Sequence, residues 1–129
     1  MKITRATAYA IYAMVHIAQE KSETAVTSHQ IAQAHDIPER FLLKVLRPLV
    51  GAGLLHSVKG PRGGYRLARP ASQITLLEIV EAVEGPLRGQ TVFLGRGTEP
   101  LEKKLAQAFQ AAADEARRKL HQLKLSHLL

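Results

Sequence analysis

The chain contains no cysteine. That excludes disulfides, thiolate zinc sites, cysteine nucleophiles and cysteine-ligated iron–sulfur clusters. It also lacks any apolar run near the roughly 20 residues that a membrane span needs, so no membrane partner is expected. The segment MKITRATAYAIYAMVHIAQ has two early basic residues, as a leader would. Tyr9, Tyr12 and His16 interrupt its apolar run at helical spacing, so it reads as an amphipathic helix and the chain as cytoplasmic. The glycines of 59–64 are followed by no Gly-Lys-Ser/Thr and no helix start, which excludes a Walker-type nucleotide loop. No Ser/His/Asp order or carboxylate pair stands in a catalytic setting, so no catalytic residue is assigned and an enzyme is not expected. His16, His29, His35, His56, His121 and His127 are scattered without the H-E-x-x-H spacing, and no metal site is expected.

One further absence is local. Between Arg40 and Arg69 there is no Asp or Glu, yet Arg40, Lys44, Arg47, Lys59, Arg62, Arg66 and Arg69 all fall there. The other eleven basic residues are matched by the 11 acidic ones, so the whole formal charge of +7 lies in this window. Such a patch is the electrostatic footprint expected for double-stranded DNA. At 129 residues and 46% hydrophobic content, the chain fits one small folded domain with an appended helix.

The pattern around the window gives the architecture. A first helix is expected over 4–19, with Tyr9, Tyr12/Ala13 and His16/Ile17 on its apolar face. Tyr9 and Tyr12 read as core residues, or as hydroxyls that reach a phosphate. Residues 21–26 form a polar connection. Thr27 and Gln30 make a capping box that starts a second helix to about His35. Asp36-Ile37 turns the chain, and Pro38 suits the first position of a third helix. Phe41, Leu42, Val45, Leu46 and Leu49 form its core face, while Glu39, Arg40, Leu43, Lys44 and Arg47 point away. Pro48 should bend this helix or end its regular part. Gly53 suits a left-handed cap. Short strands follow at 54–58 and 65–68, joined by a Gly-rich loop. A second capping box, Thr75 with Glu78, starts a helix that Gly85-Pro86 stop, with Ile74 and Ile79 as its staple. Glu78, Glu81 and Glu84 read as a solvated face. After a loop, a long helix runs over 101–122. Its stripe Leu101, Leu105, Ala108, Ala112, Ala116, Leu120 and Leu123 steps by four and three. A helix of the same chain or the partner helix of a homodimer can cover it, and the homodimer is the preferred reading. The apolar tail 125–129 can fold back as a short cap.

The fold class is therefore mainly α with a small β-hairpin wing, a winged helix-turn-helix plus a long C-terminal dimerisation helix. Residues 1–84 form the DNA-binding unit, 85–100 a loop, and 101–129 the dimerisation helix and tail. On the third helix, Arg40, Lys44 and Arg47 fall at i, i+4 and i+7, the spacing for facing a groove. Arg can read guanine, and Lys more often meets phosphate. Pro38 and Glu39 lie at the same helix start, and Leu43 either contacts a thymine methyl or packs. In the wing, Lys59, Gly60, Pro61, Arg62, Gly63, Gly64 and Tyr65 combine two cations with small residues. The glycines permit close approach of the backbone to DNA, and Arg62 suits a narrow minor groove. Thr27 and Ser28 place N–H groups at a helix start, where a phosphate can bind.

These residues resemble the Rrf-two (BadM, IscR, NsrR, CymR) family of winged-helix regulators. The resemblance is carried by Met1-Lys2-Ile3-Thr4 with Tyr9-Ala10, by Ile31-Ala32, and by Phe41-Leu42-Leu43-Lys44-Val45-Leu46 with Ala52-Gly53-Leu54. It continues through Val58-Lys59-Gly60-Pro61-Arg62-Gly63-Gly64-Tyr65-Arg66-Leu67 and Ile74-Thr75-Leu76-Leu77-Glu78-Ile79. It implies a homodimer on a pseudo-palindromic operator, with the helix near Pro38 as reader and the long last helix as dimer element. Many members hold an iron–sulfur cluster through three cysteines in the loop before that helix. This loop has none, so no cofactor is expected, and the chain resembles a cluster-free, CymR-type branch. The expected function is a sequence-specific transcriptional regulator, read as a repressor. A non-specific architectural protein and a regulator controlled by complex formation with a partner enzyme remain alternatives. A small-molecule effector would sit near 85–100.

Overall fold

The computed structural model describes residues 2–89 and 99–129. Much of the expected loop before the last helix, 90–98, lies outside the described residues. The elements run α1 (Arg5–Ala18), α2 (Ser28–His35), α3 (Glu39–Gly51), β1 (Leu55–Val58), β2 (Gly64–Leu67), a 3-10 turn (Ala71–Gln73), α4 (Leu76–Glu84), α5 (Pro100–Gln122) and a last 3-10 turn (Leu125–Leu128). This is the winged helix-turn-helix with a long last helix that the sequence pattern describes.

Local chemistry starts and stops these elements. Both capping boxes form. The Thr27 hydroxyl accepts from the Gln30 N–H at 3.0 Å, while the Thr27 N–H donates to the Gln30 side chain at 2.9 Å. Thr75 and Glu78 repeat the exchange at 3.0 and 3.1 Å. Asp36 turns between α2 and α3 with φ 52°, a left-handed position that Asp tolerates better than most residues. After α3, the Gly53 N–H meets the Val50 carbonyl at 3.0 Å and the Leu54 N–H meets that of Leu49 at 3.0 Å. With φ +74° at Gly53, this is a Schellman ending.

One feature of α3 differs from expectation, and another selects between the two outcomes expected at Pro48, a bend or an end. Pro38 is the residue before the helix, with ψ 125°, and its carbonyl accepts from Phe41 and Leu42. Pro48 does not end the helix, which continues to Gly51. Leu46 and Leu49 are fully buried on either side of it, and their packing outweighs one lost backbone bond.

The core joins Ala10, Ala13, Met14 and Ile17 of α1 to Ile31 of α2, to Leu42, Val45, Leu46 and Leu49 of α3, and to Ile74 and Ile79 around the start of α4. The tail closes it: Leu125 is fully buried and its N–H donates to the Ile74 carbonyl at 2.8 Å. Two aromatic residues expected inside are outside. Tyr12 is 55% exposed and stacks on His35, and Phe41 is 39% exposed. Phe41 lies beside the buried arc of α3, whereas Tyr12 lies on the side of α1 opposite the buried Ala10, Ala13, Met14 and Ile17.

The three glutamates of α4 are not a free solvated face: Glu84 is exposed and Glu78 and Glu81 are half-buried, but each carboxylate has a partner. Glu78 pairs with Arg69, Glu81 with Arg117 of α5, and Glu84 accepts from the hydroxyls of Thr4 and Thr7 on α1. One helix thus fastens three separate segments through carboxylates. For Glu78, burial opposes ionisation, but bonds from Arg69 and Thr75 outweigh it and hold the carboxyl below its ordinary range. The Thr4 and Thr7 hydroxyls hold Glu84 low as well.

Along α5 the expected stripe divides. Leu120 is buried with Leu77 and Val80 of α4, and Ala116 is half-buried. Leu101, Leu105, Ala108 and Ala112 remain exposed, joined by Phe109. The lower helix is therefore covered within the chain, and the upper part keeps an uncovered apolar face. No helix among the described residues is long and apolar enough to cross a membrane.

Candidate nucleic-acid interface

The helix-turn-helix is α2, the turn at Asp36 and α3. Burial of Leu42, Val45, Leu46 and Leu49 turns the opposite side of α3 outward, so Arg40, Leu43, Lys44 and Arg47 are all exposed. Leu43 is 44% exposed on a face otherwise made of cations. Among the described residues, Arg40, Lys44, Arg47, Lys59, Arg62 and Arg66 form no ion pair with a carboxylate. Arg69 is the exception in the basic window. It is tied to Glu78 and donates to the Gln73 carbonyl at 3.1 Å, so it belongs to the frame. Cations outside ion pairs keep their charge for a polyanion.

Phe41 is the residue on this helix whose role the spacing missed. Its ring lies 4.8 Å from the Arg40 guanidinium and 5.6 Å from the Lys44 ammonium. Both distances suit cation–π attraction, which restrains two flexible side chains on one ring. Arg40, Phe41 and Lys44, at i, i+1 and i+4, signal such a clamp only once the ring is known to be outside.

The start of α2 is already engaged by the protein. The Ser28 hydroxyl donates to the Glu39 carboxylate at 2.9 Å, and His29 stands 3.8 Å from the same group. Glu39 therefore links the first turns of α2 and α3. A phosphate at Thr27 and Ser28 would meet this carboxylate. Glu39 and Pro38 lie at the start of α3, as expected, with Pro38 exposed and Glu39 half-buried.

In the wing, β1 and β2 pair antiparallel with Leu55 opposite Leu67 and Val58 opposite Gly64. Lys59, Gly60, Pro61 and Arg62 are exposed at the tip. The connection before α2 contributes an unforeseen third partner. Val26 bridges Tyr65, with N–H···O distances of 3.0 Å and 2.7 Å in the two directions. This explains two glycines differently from close approach to DNA. A Cβ on Gly64 would stand 2.6 Å from the Val26 carbonyl carbon, and one on Gly63 would stand 2.5 Å from the Val58 oxygen. Their smallness serves the protein's own backbone. Tyr65 is half-buried against the core.

The histidines are less scattered in space than in sequence. His16 Nδ1 and His35 Nε2 meet at 2.9 Å beside Tyr12. Burial, with the neighbouring His35, pushes the His16 pKa below its ordinary value against the pull of Glu20. Among the described residues, no three metal-ligating side chains gather.

Comparison with known proteins agrees with this geometry. Residues 3–129 match the family model Rrf2, described as an iron-dependent transcriptional regulator. The chain is 31% identical to the transcriptional regulator CymR of Bacillus subtilis over 105 residues, which are 81% of this chain and 75% of that protein. It is 40% identical over 86 residues to the transcriptional regulator IscR of Cereibacter sphaeroides, covering 65% of this chain and 56% of that one. With protein aau3 of Rhizobium meliloti it shares 42% over 84 residues, covering 65% and 54%. The chain spans about half the length of several curated relatives it matches. The solved structure of CymR, the global cysteine regulator of B. subtilis, superposes with a TM-score of 0.79 at 28% identity, covering 99% of this chain and 95% of that one. A solved IscR from T. potens gives 0.76 at 25%, covering 99% and 85%. With the helix-turn-helix, the wing and the long last helix all in place, the chain belongs to the Rrf2 family of helix-turn-helix transcriptional regulators.

Proposed function

We propose that this chain acts as a homodimeric repressor that binds a pseudo-palindromic operator and carries no iron–sulfur cluster. The observation that carries the reading is the set of unpaired cations on α3 and the wing, with exposed Leu43 among them. In it, α3 enters the major groove. Arg40 near its start reads base edges, and Lys44 and Arg47 hold phosphates. Lys59 and Arg62 at the wing tip meet the minor groove.

The uncovered face of α5 supports the dimer. Leu101, Leu105, Ala108, Ala112 and Phe109 are apolar and exposed on one helix. A second copy of α5 would bury them and pair two α3 helices, each facing a half-site, with half-sites one turn of DNA (about 34–36 Å) or a multiple of it apart. The donor chemistry supports the absence of a cluster. The chain has no cysteine, and 85–100 holds a single carboxylate, Glu99, and no histidine. These residues do not fit an iron–sulfur cluster, whatever the family's general description. An effector or a partner protein is the remaining candidate for a signal.

Selection of bound sequences from random duplex, followed by titration of the winner and a scrambled control, tests this reading. A preference of about a thousandfold or more, for a two-fold symmetric site, is expected of a specific regulator. A ratio near one would point to a non-specific architectural protein. A reporter gene behind the selected site should fall in expression when the protein is supplied.

A further inference from the structure

A groove of about 340 Å³ lies between the start of α1 and one flank of α3. Ala6, Tyr9, Phe41 and Val45 give it apolar walls, and Arg5 and Lys44 complete the lining. No acidic side chain lines it. Its volume sits at the small end of ligand pockets, which run from about 300 to 1,000 Å³, so it suits one or two fused rings. Arg5 and Lys44 form no ion pair among the described residues. A ligand that complements this lining has a flat apolar body and one negative charge.

We propose that this groove binds a small aromatic carboxylate, its ring against Tyr9 and Phe41 and its carboxylate held by Arg5 and Lys44. The two aromatic walls favour a ring over an aliphatic chain through stacked or edge contacts. The cations reward the carboxylate with charge-assisted hydrogen bonds. The consequence for DNA rests on the function proposed above. Lys44 cannot serve a ligand carboxylate and a phosphate together, and Phe41 cannot face a ligand without disturbing its hold on Arg40. The ligand therefore antagonises DNA binding.

The test uses 1-naphthoate as the probe and 1-naphthamide as its uncharged counterpart, titrated into the full chain without DNA. Calorimetry should show one saturable site per chain, with the amide about tenfold weaker or more. Few aromatic signals exist, from three Tyr and three Phe, and in proton NMR those of Tyr9 and Phe41 should shift. Ala6→Leu fills the groove from α1 and should abolish binding of both compounds while duplex affinity holds. Ala6→Ser, which keeps the space, should retain binding, so a poorly folded Leu variant does not decide the matter. Absence of saturable binding at millimolar probe, equal binding of the amide, or binding unmoved by Ala6→Leu would each overturn the site. Binding with unchanged duplex affinity would overturn the antagonism. Duplex titrations without ligand report separately on the DNA-binding reading, so the two failures are told apart.

Discussion

Replacing Gly64 with alanine decides what the wing glycines are for. Gly64 has φ +146°, where an L side chain is strained. Its new Cβ would stand 2.6 Å from the Val26 carbonyl carbon and 3.0 Å from the Thr27 nitrogen. These are backbone atoms, so no side chain can swing aside. β2 must retreat from Val26, which breaks the bonds of 3.0 and 2.7 Å between Val26 and Tyr65. Each such bond is worth about 0.5–1.5 kcal/mol net, and the strain adds about 1–3 kcal/mol. The expected loss is about 2–6 kcal/mol, a fall of roughly 6–25 °C in Tm for a chain of this size. Gly51→Ala is the control. Its Cβ meets nothing within 4 Å and its backbone is helical, so stability should hold or rise by up to about 1 kcal/mol. Thermal and urea unfolding of both variants, with duplex titration below the transition, make the comparison. If Gly64 is needed only for approach to DNA, Gly64→Ala will keep the parent's Tm and lose affinity. That result would refute the argument from Val26.

Three more outcomes are expected. Leu105→Glu with Ala112→Glu should give a folded monomer by light scattering with much weakened operator binding, whereas Leu120→Glu should lower Tm because Leu120 packs on Leu77 and Val80. Arg40→Ala should cost about 1–3 kcal/mol on the operator and little on scrambled duplex, while Lys59→Ala and Arg62→Ala should weaken both and reduce the salt slope by about one unit each. Equal losses on both duplexes for Arg40→Ala would make it a backbone contact. Acid should destabilise the fold in two stages, followed by unfolding at a series of pH values. His16 is held low, so its contribution is complete above its unfolded value of about 6.5 and is lost as pH falls from there toward the folded value. Glu78 and Glu84 are also held low, so theirs is complete above about pH 4.3 and drains as pH falls through their folded values. His16→Gln should remove the upper stage alone, and Glu78→Gln the part of the lower one that Arg69 and Thr75 create.

What the sequence made legible was decided within a few residues. The boxes at Thr27 and Thr75, the cap at Gly53 and the turn at Asp36 each depend on neighbours three to five positions away. The outward set Arg40, Leu43, Lys44 and Arg47 followed from one helical period. The same period misplaced Phe41, because spacing gives the angle of a side chain but not the width of the arc its neighbours cover. It misplaced Tyr12 because the stripe read there mixed two faces, of which Ala10, Ala13, Met14 and Ile17 form the inward one. It also could not divide the α5 stripe, since Leu77 and Val80 cover Leu120 from 40 or more positions away. Nor could it join Glu81 to Arg117 or Glu84 to Thr7, which lie 36 and 77 positions apart. A run of Glu at helical spacing looks like a solvated face until the partner helices are in position. Val26 was hidden for a similar reason: a single bridging residue has no strand pattern of its own.

The charge pattern gains a mechanical meaning from these long-range pairs. Carboxylates near the reading head are spent on the frame: Glu39 links α2 to α3, and Glu78 holds Arg69. This leaves the α3 and wing cations unneutralised, and it also couples the parts that carry them. α4 is the common member. One side chain reaches α5 through Arg117, and another, about one turn on, reaches α1 through Thr4 and Thr7. In the proposed dimer, a shift of α5 against its partner would pull on Glu81, and α4 would pass that shift to the start of α1 through Glu84. Arg5 and Ala6, which wall the groove beside Lys44, lie between Thr4 and Thr7 on that same turn. In the proposed dimer, the α5 interface and the α1 wall of the groove are therefore connected through three hydroxyl or guanidinium contacts to one short helix. Cutting that link with Glu84→Gln should leave the dimer and the groove present and reduce the effect of a groove ligand on DNA affinity.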